Sequence, residues 1–242
     1  MSLYVGTSGW AYKEWKPEFY PQDLPQKRFL DFYGQQLSAC EINATFYRRQ
    51  TDETFLRWHD AVPADFRFAV KAHRGISYGL DLSITDPKLE LIAGFRDSVA
   101  NLQKKLGVIM VQFPHKDPQR EAALELLRVL PEKVPYAFDF RKEIWDTPEF
   151  RDQLADGGAT LCWTDRTGEV PAELPPGPVA YVRLRVERYT EEQRAAWKDK
   201  LAKEATERDV YLFVKHESGP ANDPLGGVAL ARWLRERTEP AR

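Results

Sequence analysis

The sequence predicts an α/β protein: a single-domain TIM (β/α)8 barrel over residues 1–242, with the sixth helix replaced by a proline-rich connection. Three observations predict it. Eight short apolar, β-branched or aromatic runs recur along the chain, most of them separated by segments with helical periodicity. One parity of these runs ends in polar residues at the C-terminal tips, the end at which barrel enzymes build their sites. The chain has 242 residues, is 43% hydrophobic, and carries no linker or low-complexity segment that would divide the core. An open doubly wound sheet is the alternative. It would need a glycine-rich turn after the first strand, and Gly6-Thr7-Ser8-Gly9 lacks the third glycine and the acidic ribose partner of a dinucleotide site.

The expected strands are 3–6, 39–43, 67–71, 108–113, 136–141, 160–165, 179–184 and 210–215. After the first, Phe29, Tyr33 and Leu37 repeat at helical spacing. Thr51 caps the helix after the second strand, followed by acidic residues that suit a helix N-terminus. Asp86-Pro87 reads as an N-cap with proline at the first helical position, and Ile92, Phe95, Val99, Leu102 and Leu106 hold one face. Asp117-Pro118, Thr147-Pro148 and Asp223-Pro224 start three more helices in the same way. Leu124, Leu127 and Leu130 stripe the first of these; Phe150 and Leu154 stripe the second, which Gly157-Gly158 stops. Thr190 caps another. The crossover 166–178 contains Pro171, Pro175, Pro176 and Pro178, which forbid a regular helix and predict an extended connection.

Alternation of faces along each strand names the candidate site. In the second strand Cys40 and Ile42 point one way and Ala39, Glu41 and Asn43 the other, so Glu41 is an interior carboxylate that needs partners or a ligand. The same parity elsewhere gives Tyr4, Gly6 and Ser8; Ala69 and Lys71; Met110 and Gln112; Ala137, Asp139 and Arg141; Trp163 and Asp165; Tyr181 and Arg183; Phe213 and Lys215. On this lining Lys71, Arg141, Arg183 and Lys215 oppose Glu41, Asp139 and Asp165. One reading is a self-neutralising salt-bridge layer that closes the barrel. The functional reading is a pocket for a small anionic or hydroxylated ligand. It assigns Glu41, Asp139 and Asp165 to catalysis, with Glu41 as general acid or base. Ser8, Trp10, Asn43, Tyr47, Lys71, Gln112, Arg141, Trp145, Arg183, Lys215 and His216 would bind the substrate. Trp10, Tyr47 and Trp145 follow strand ends and could stack on a sugar or base, or simply pack the loops over the mouth.

His73, His115 and His216 also follow strand ends, and with Glu41, Asp139 and Asp165 they could make the His and carboxylate site of a metal-dependent hydrolase or isomerase. No His-x-His or His-Glu-x-x-His spacing supports it, no cofactor is expected, and a non-catalytic nucleic-acid or protein-binding barrel is the other alternative. The loop 217–227 could offer backbone N–H groups to a phosphate. A formal net charge of −2 gives no broad affinity for nucleic acid, which remains possible as a partner but is not favoured. There is no long apolar run and no secretion signal at the start of the sequence, so a cytoplasmic protein with no membrane association is expected. Cys40 and Cys162 read as small core residues of a reduced compartment.

Seven blocks carry a family resemblance: Gly6-Thr-Ser-Gly-Trp10 with Trp15 and Phe19-Tyr20-Pro21; Glu41-Ile-Asn-Ala-Thr-Phe-Tyr47; Phe68-Ala-Val-Lys71; Gln112-Phe-Pro114; Phe138-Asp-Phe-Arg141; Trp145; and Tyr181-Val-Arg183-Leu184. Together they resemble the YecE-like family, domain of unknown function seventy-two. The resemblance implies a TIM barrel, often with incomplete helices, a polar cavity at the strand C-terminal ends, and no established reaction. Two departures stand out. Asp139 occupies a position where that family commonly has glutamate, and Arg185-Val186 replaces the His-Gly often seen after Arg-Leu.

Overall fold

Each strand returns to the same end of the sheet through a crossover, so every strand pairing is parallel. The computed structural model describes residues 1–78, 83–114, 120–131, 133–140, 146–216 and 219–236. The elements are β1 (Leu3–Thr7), α1 (Phe29–Gln36), β2 (Ala39–Ile42), α2 (Ala44–Tyr47), α3 (Asp52–Asp60), β3 (Arg67–Lys71), α4 (Arg74–Ser77) and α5 (Asp86–Val99). They continue with β4 (Leu106–Gln112), α6 (Arg120–Val129), β5 (Tyr136–Asp139), α7 (Pro148–Asp156), β6 (Ala159–Leu161), β7 (Trp163–Asp165), β8 (Val179–Leu184), α8 (Glu191–Glu204), β9 (Asp209–Val214) and α9 (Gly227–Glu236).

The strand order is β6-β5-β4-β3-β2-β1-β9-β8-β7. Its two ends are the halves of one strand, parted at Cys162. The first half pairs with β5 through Phe138↔Leu161, and the second pairs with β8 from Trp163↔Val182 onward. The nine segments therefore make eight staves of a nearly closed barrel, and the break at Cys162 is its seam. Residues 166–178, between β7 and β8, contain no helix, as their prolines require.

Capping follows the sequence at three helices. Thr51 accepts the Thr54 N–H, Thr147 accepts the Phe150 N–H, and Thr190 forms a reciprocal capping box with Gln193. Elsewhere the expectations shift by a few residues. Asp86 is the first helical residue of α5 and Thr85 occupies the cap position. The stripe of α5 does not run on to Leu106: after Val99 the chain tightens into a 3-10 turn, Gln103 adopts φ 50°, and Leu106 already opens β4. Asp223-Pro224 makes a turn in which the Asp223 carboxylate accepts the Leu225 N–H at 3.0 Å, and α9 starts only at Gly227. Asp117-Pro118 lies outside the described residues.

Two apolar layers flank the strands. Val5, Cys40, Ile42, Phe68 and Val70 face the helices; Ala39, Ala69, Met110, Ala137, Tyr181 and Phe213 face the lumen. Tyr4 and Tyr211 stack at 5.0 Å between ring centroids at the N-terminal end. A Cβ at Gly107 would stand 2.6 Å from the Tyr211 ring, so the small residue there is what admits it. Aromatic filling at one end leaves the polar residues at the other.

Candidate functional site

The centre of the polar end is Glu41, with no solvent exposure. Strand alternation carries its side chain into the lumen, where five donors from three segments meet it. Ser8 Oγ donates to Oε1 at 2.8 Å, Asn43 Nδ2 to Oε1 at 3.2 Å, and the Tyr181 hydroxyl to Oε2 at 2.7 Å. Arg183 Nη2 reaches Oε1 at 3.0 Å and Arg185 Nη2 stands 3.5 Å from it. Arg183 bridges two acids, because its Nη1 donates to Asp139 Oδ2 at 2.9 Å. Gln112 Nε2 approaches the same Oδ2 at 3.3 Å. Arg185 is held in turn by Ser8 Oγ at 2.7 Å and by the Phe213 carbonyl at 3.0 Å.

The electrostatics follow from this geometry. Burial pushes the Glu41 carboxyl up, but Arg183 and Arg185, with the Tyr181 and Ser8 hydroxyls, outweigh it and hold it well below the usual carboxylate range. Burial weakens the hold of Arg183 on its proton, and Glu41 and Asp139 reverse the balance, so its pKa rises. Arg185 is lowered by burial and by its neighbour Arg183. Glu41 is thus a saturated anion, the anchor of two guanidinium groups. Asp139 differs: its Oδ2 is bonded, while Oδ1 has no partner among the described residues. Lys71 is 5% exposed, with Nζ 4.1 Å from the centroid of the Phe46 ring.

Of the residues expected at the site, Ser8, Glu41, Asn43, Gln112, Asp139 and Arg183 come together in one hydrogen-bonded cluster. Asp165 does not join it. The break at Cys162 reverses the parity of the stave, so Cys162 packs with the lumen residues and Trp163 with the outer core. Asp165 turns outward, where its Oδ2 accepts from the Tyr189 hydroxyl at 2.9 Å and Trp197 Nε1 at 3.1 Å. Its Oδ1 accepts the Thr167 and Gly168 N–H groups. The lumen position expected for Asp165 and Trp163 is corrected accordingly. Lys215 pairs with the exposed Glu187 at 3.3 Å, and His216 stacks on Tyr12 at 4.3 Å. Trp10 meets Trp58 edge to face at 5.5 Å, and Tyr47 is 67% exposed. Arg141, Trp145 and His115 lie outside the described residues.

Sequence reasoning left Tyr181 and Arg185 without a role. Both carry the parity of Arg183, and Arg185 continues it one residue past the end of β8, so the period of two was the signal. His73 caps α4, its Nδ1 accepting the Gly75 N–H at 3.1 Å. Among the described residues no three His, Cys, Asp or Glu side chains are grouped so that they could hold a metal ion. No helix among them is long and apolar enough to cross a membrane.

Comparison with known proteins places this geometry. The family described as "Protein of unknown function DUF72" matches residues 4–241. The chain is 27% identical over 157 residues to the UPF0759 protein YunF of Bacillus subtilis (strain 168), a match covering 62% of this chain and 55% of that relative. It therefore spans little more than half the length of the curated relative. A crystal structure of a DUF72 family protein from Thermotoga maritima MSB8 superposes with a TM-score of 0.78 at 23% identity, covering 98% of each chain. A second, from Enterococcus faecalis V583, gives a TM-score of 0.74 at 18% identity over 100% of this chain and 99% of that one. These likenesses extend over the whole barrel, and the chain belongs to the DUF72 family, for which no reaction is established.

Proposed function

We propose that the protein is a metal-independent enzyme acting on a small anionic substrate, such as a sugar phosphate, a nucleotide or a nucleic-acid end, at the C-terminal mouth of the barrel. The support is the charge of the lumen. Three cationic side chains, Arg183, Arg185 and Lys71, stand at the lumen with Glu41 and Asp139, and Asp165, turned outward, does not join them. Guanidinium and ammonium groups gathered at one polar cavity suit an anion. Lys71 supplies a point charge, and Arg183 supplies guanidinium N–H groups already fixed in orientation by two carboxylates.

The roles divide by how committed each carboxylate is. Glu41, ionised and surrounded by donors, orients the two arginines and is a poor proton acceptor in this state. Asp139 has an oxygen, Oδ1, without a partner among the described residues and is the stronger candidate for general acid or base. Melting curves with inorganic phosphate and sulfate test the reading. Saturating phosphate should stabilise the protein by about 2.7 kcal/mol at a hundredfold excess over Kd. Lys71→Met should remove most of that effect, whereas Asp139→Asn should keep it. A melting temperature indifferent to both anions would overturn the proposal.

A further inference from the structure

The parted stave creates a second feature beside the cluster. Up to Phe138↔Leu161, β5 and β6 are paired; beyond it Asp139 and Phe140 diverge from Trp163–Asp165, which pair only with β8. Because β7 ends the strand order, its other edge adjoins no strand among the described residues, and such an edge presents unpaired backbone N–H and C=O groups. Among the described residues no helix follows β7, because residues 166–178 form the proline-rich connection. The result is a cleft of about 540 Å³ that runs from Asp139 outward between β5 and β7 to the start of that connection. Its size suits a small-molecule subsite.

The walls of the cleft mix four kinds of group, the fourth being the exposed Arg166 guanidinium at its outer end. Phe140, Trp163 and Val170 supply apolar surface; Thr164 and Thr167 supply hydroxyls; Asp139 and Glu169 supply carboxylate acceptors. A hydroxyl group both donates and accepts, so it suits a wall that offers carboxylates and a free backbone edge together. The C–H face of a sugar ring suits the aromatic surface. We infer that the cleft along the edge of β7 is a subsite for the uncharged, hydroxyl-rich part of a ligand, a sugar ring whose anionic group points toward Arg183, which Asp139 joins to the cleft. This rests on the anionic reading of the lumen for the position of the charged group, while the sugar subsite itself depends only on the cleft.

Calorimetric titrations with inorganic phosphate, D-ribose and ribose 5-phosphate separate the two. Ribose 5-phosphate should bind about tenfold or more tightly than inorganic phosphate. Val170→Trp, which fills the cleft from a connection without regular structure, should cancel that advantage and abolish ribose binding. Glu169→Ala, at an exposed position, should weaken both sugars in the same direction and serves as the second variant should the larger side chain perturb folding. If ribose binds and Val170→Trp removes it while phosphate never binds, the cleft stands and the anionic lumen falls. If ribose 5-phosphate binds no better than phosphate, or its advantage survives both cleft variants, the sugar subsite is overturned.

Discussion

At the scale of single residues, Glu41 decides the state of the barrel mouth. A fully buried carboxylate is tolerable only because two guanidinium groups, an amide and two hydroxyls meet it. Glu41→Gln keeps the shape and removes the charge, leaving Arg183 with Asp139 alone and Arg185 without its carboxylate. Breaking a buried ionic network in this way costs about 3–5 kcal/mol, to be read as a fall in the urea midpoint at neutral pH. The pH dependence has a definite sign. The folded pKa of Glu41 is depressed below its unfolded value, so its contribution is complete above about pH 4.3 and is lost as the pH falls below that. The urea midpoint of the wild type should therefore drop more steeply below about pH 4.3 than that of Glu41→Gln. Parallel curves would show that Glu41 is not ionised in the folded protein.

At the scale of elements, Asp165 shows how one missing residue of pairing changes the role of a side chain. Once the stave breaks at Cys162, the carboxylate that alternation would send inward instead fastens α8 and the start of the proline-rich connection to β7, through Trp197, Tyr189, Thr167 and Gly168. Asp165→Ala should destabilise the protein by about 3 kcal/mol, since it strands several buried donors, yet leave phosphate-induced stabilisation intact. Loss of anion binding in a variant that remains folded would return Asp165 to the site. The capping box of α8 is a smaller contributor: Thr190→Ala should cost about 1 kcal/mol in a thermal or urea melt.

At the scale of the whole molecule, the barrel is closed least firmly at its seam. The β8–β9 pairing runs over six residue pairs, from Val179↔Asp209 to Leu184↔Val214, whereas β6 and β7 are each held by three pairs. Local opening follows the number of buried hydrogen bonds and contacts that must be broken. Native-state hydrogen exchange should find the amides of β6 and β7 exchanging before those of β1, β8 and β9, and a sugar phosphate in the cleft should slow them selectively. Uniform protection around the barrel would remove the seam as a weak point. The aromatic pair Tyr4 and Tyr211 fills the other end of the lumen, so the proposed ligand would enter by the polar mouth or the cleft beside it.

The sequence by itself determined the barrel, because eight apolar runs, helix caps at Thr51, Thr147 and Thr190, and four prolines in one crossover are local signals with local consequences. It also determined most of the cluster: a period of two places Glu41, Lys71, Gln112, Asp139 and Arg183 on one face whatever their partners are. Only the tertiary structure decided how these charges are spent. Donor counts around Glu41, the pairing of Asp139 Oδ2 with Arg183 and the capture of Arg185 by Ser8 depend on distances between strands far apart in the chain. The break at Cys162, which turned Asp165 outward and opened the cleft, follows from which neighbour each half of the stave pairs with, and pairing between strands distant in sequence leaves no periodic mark along any one of them.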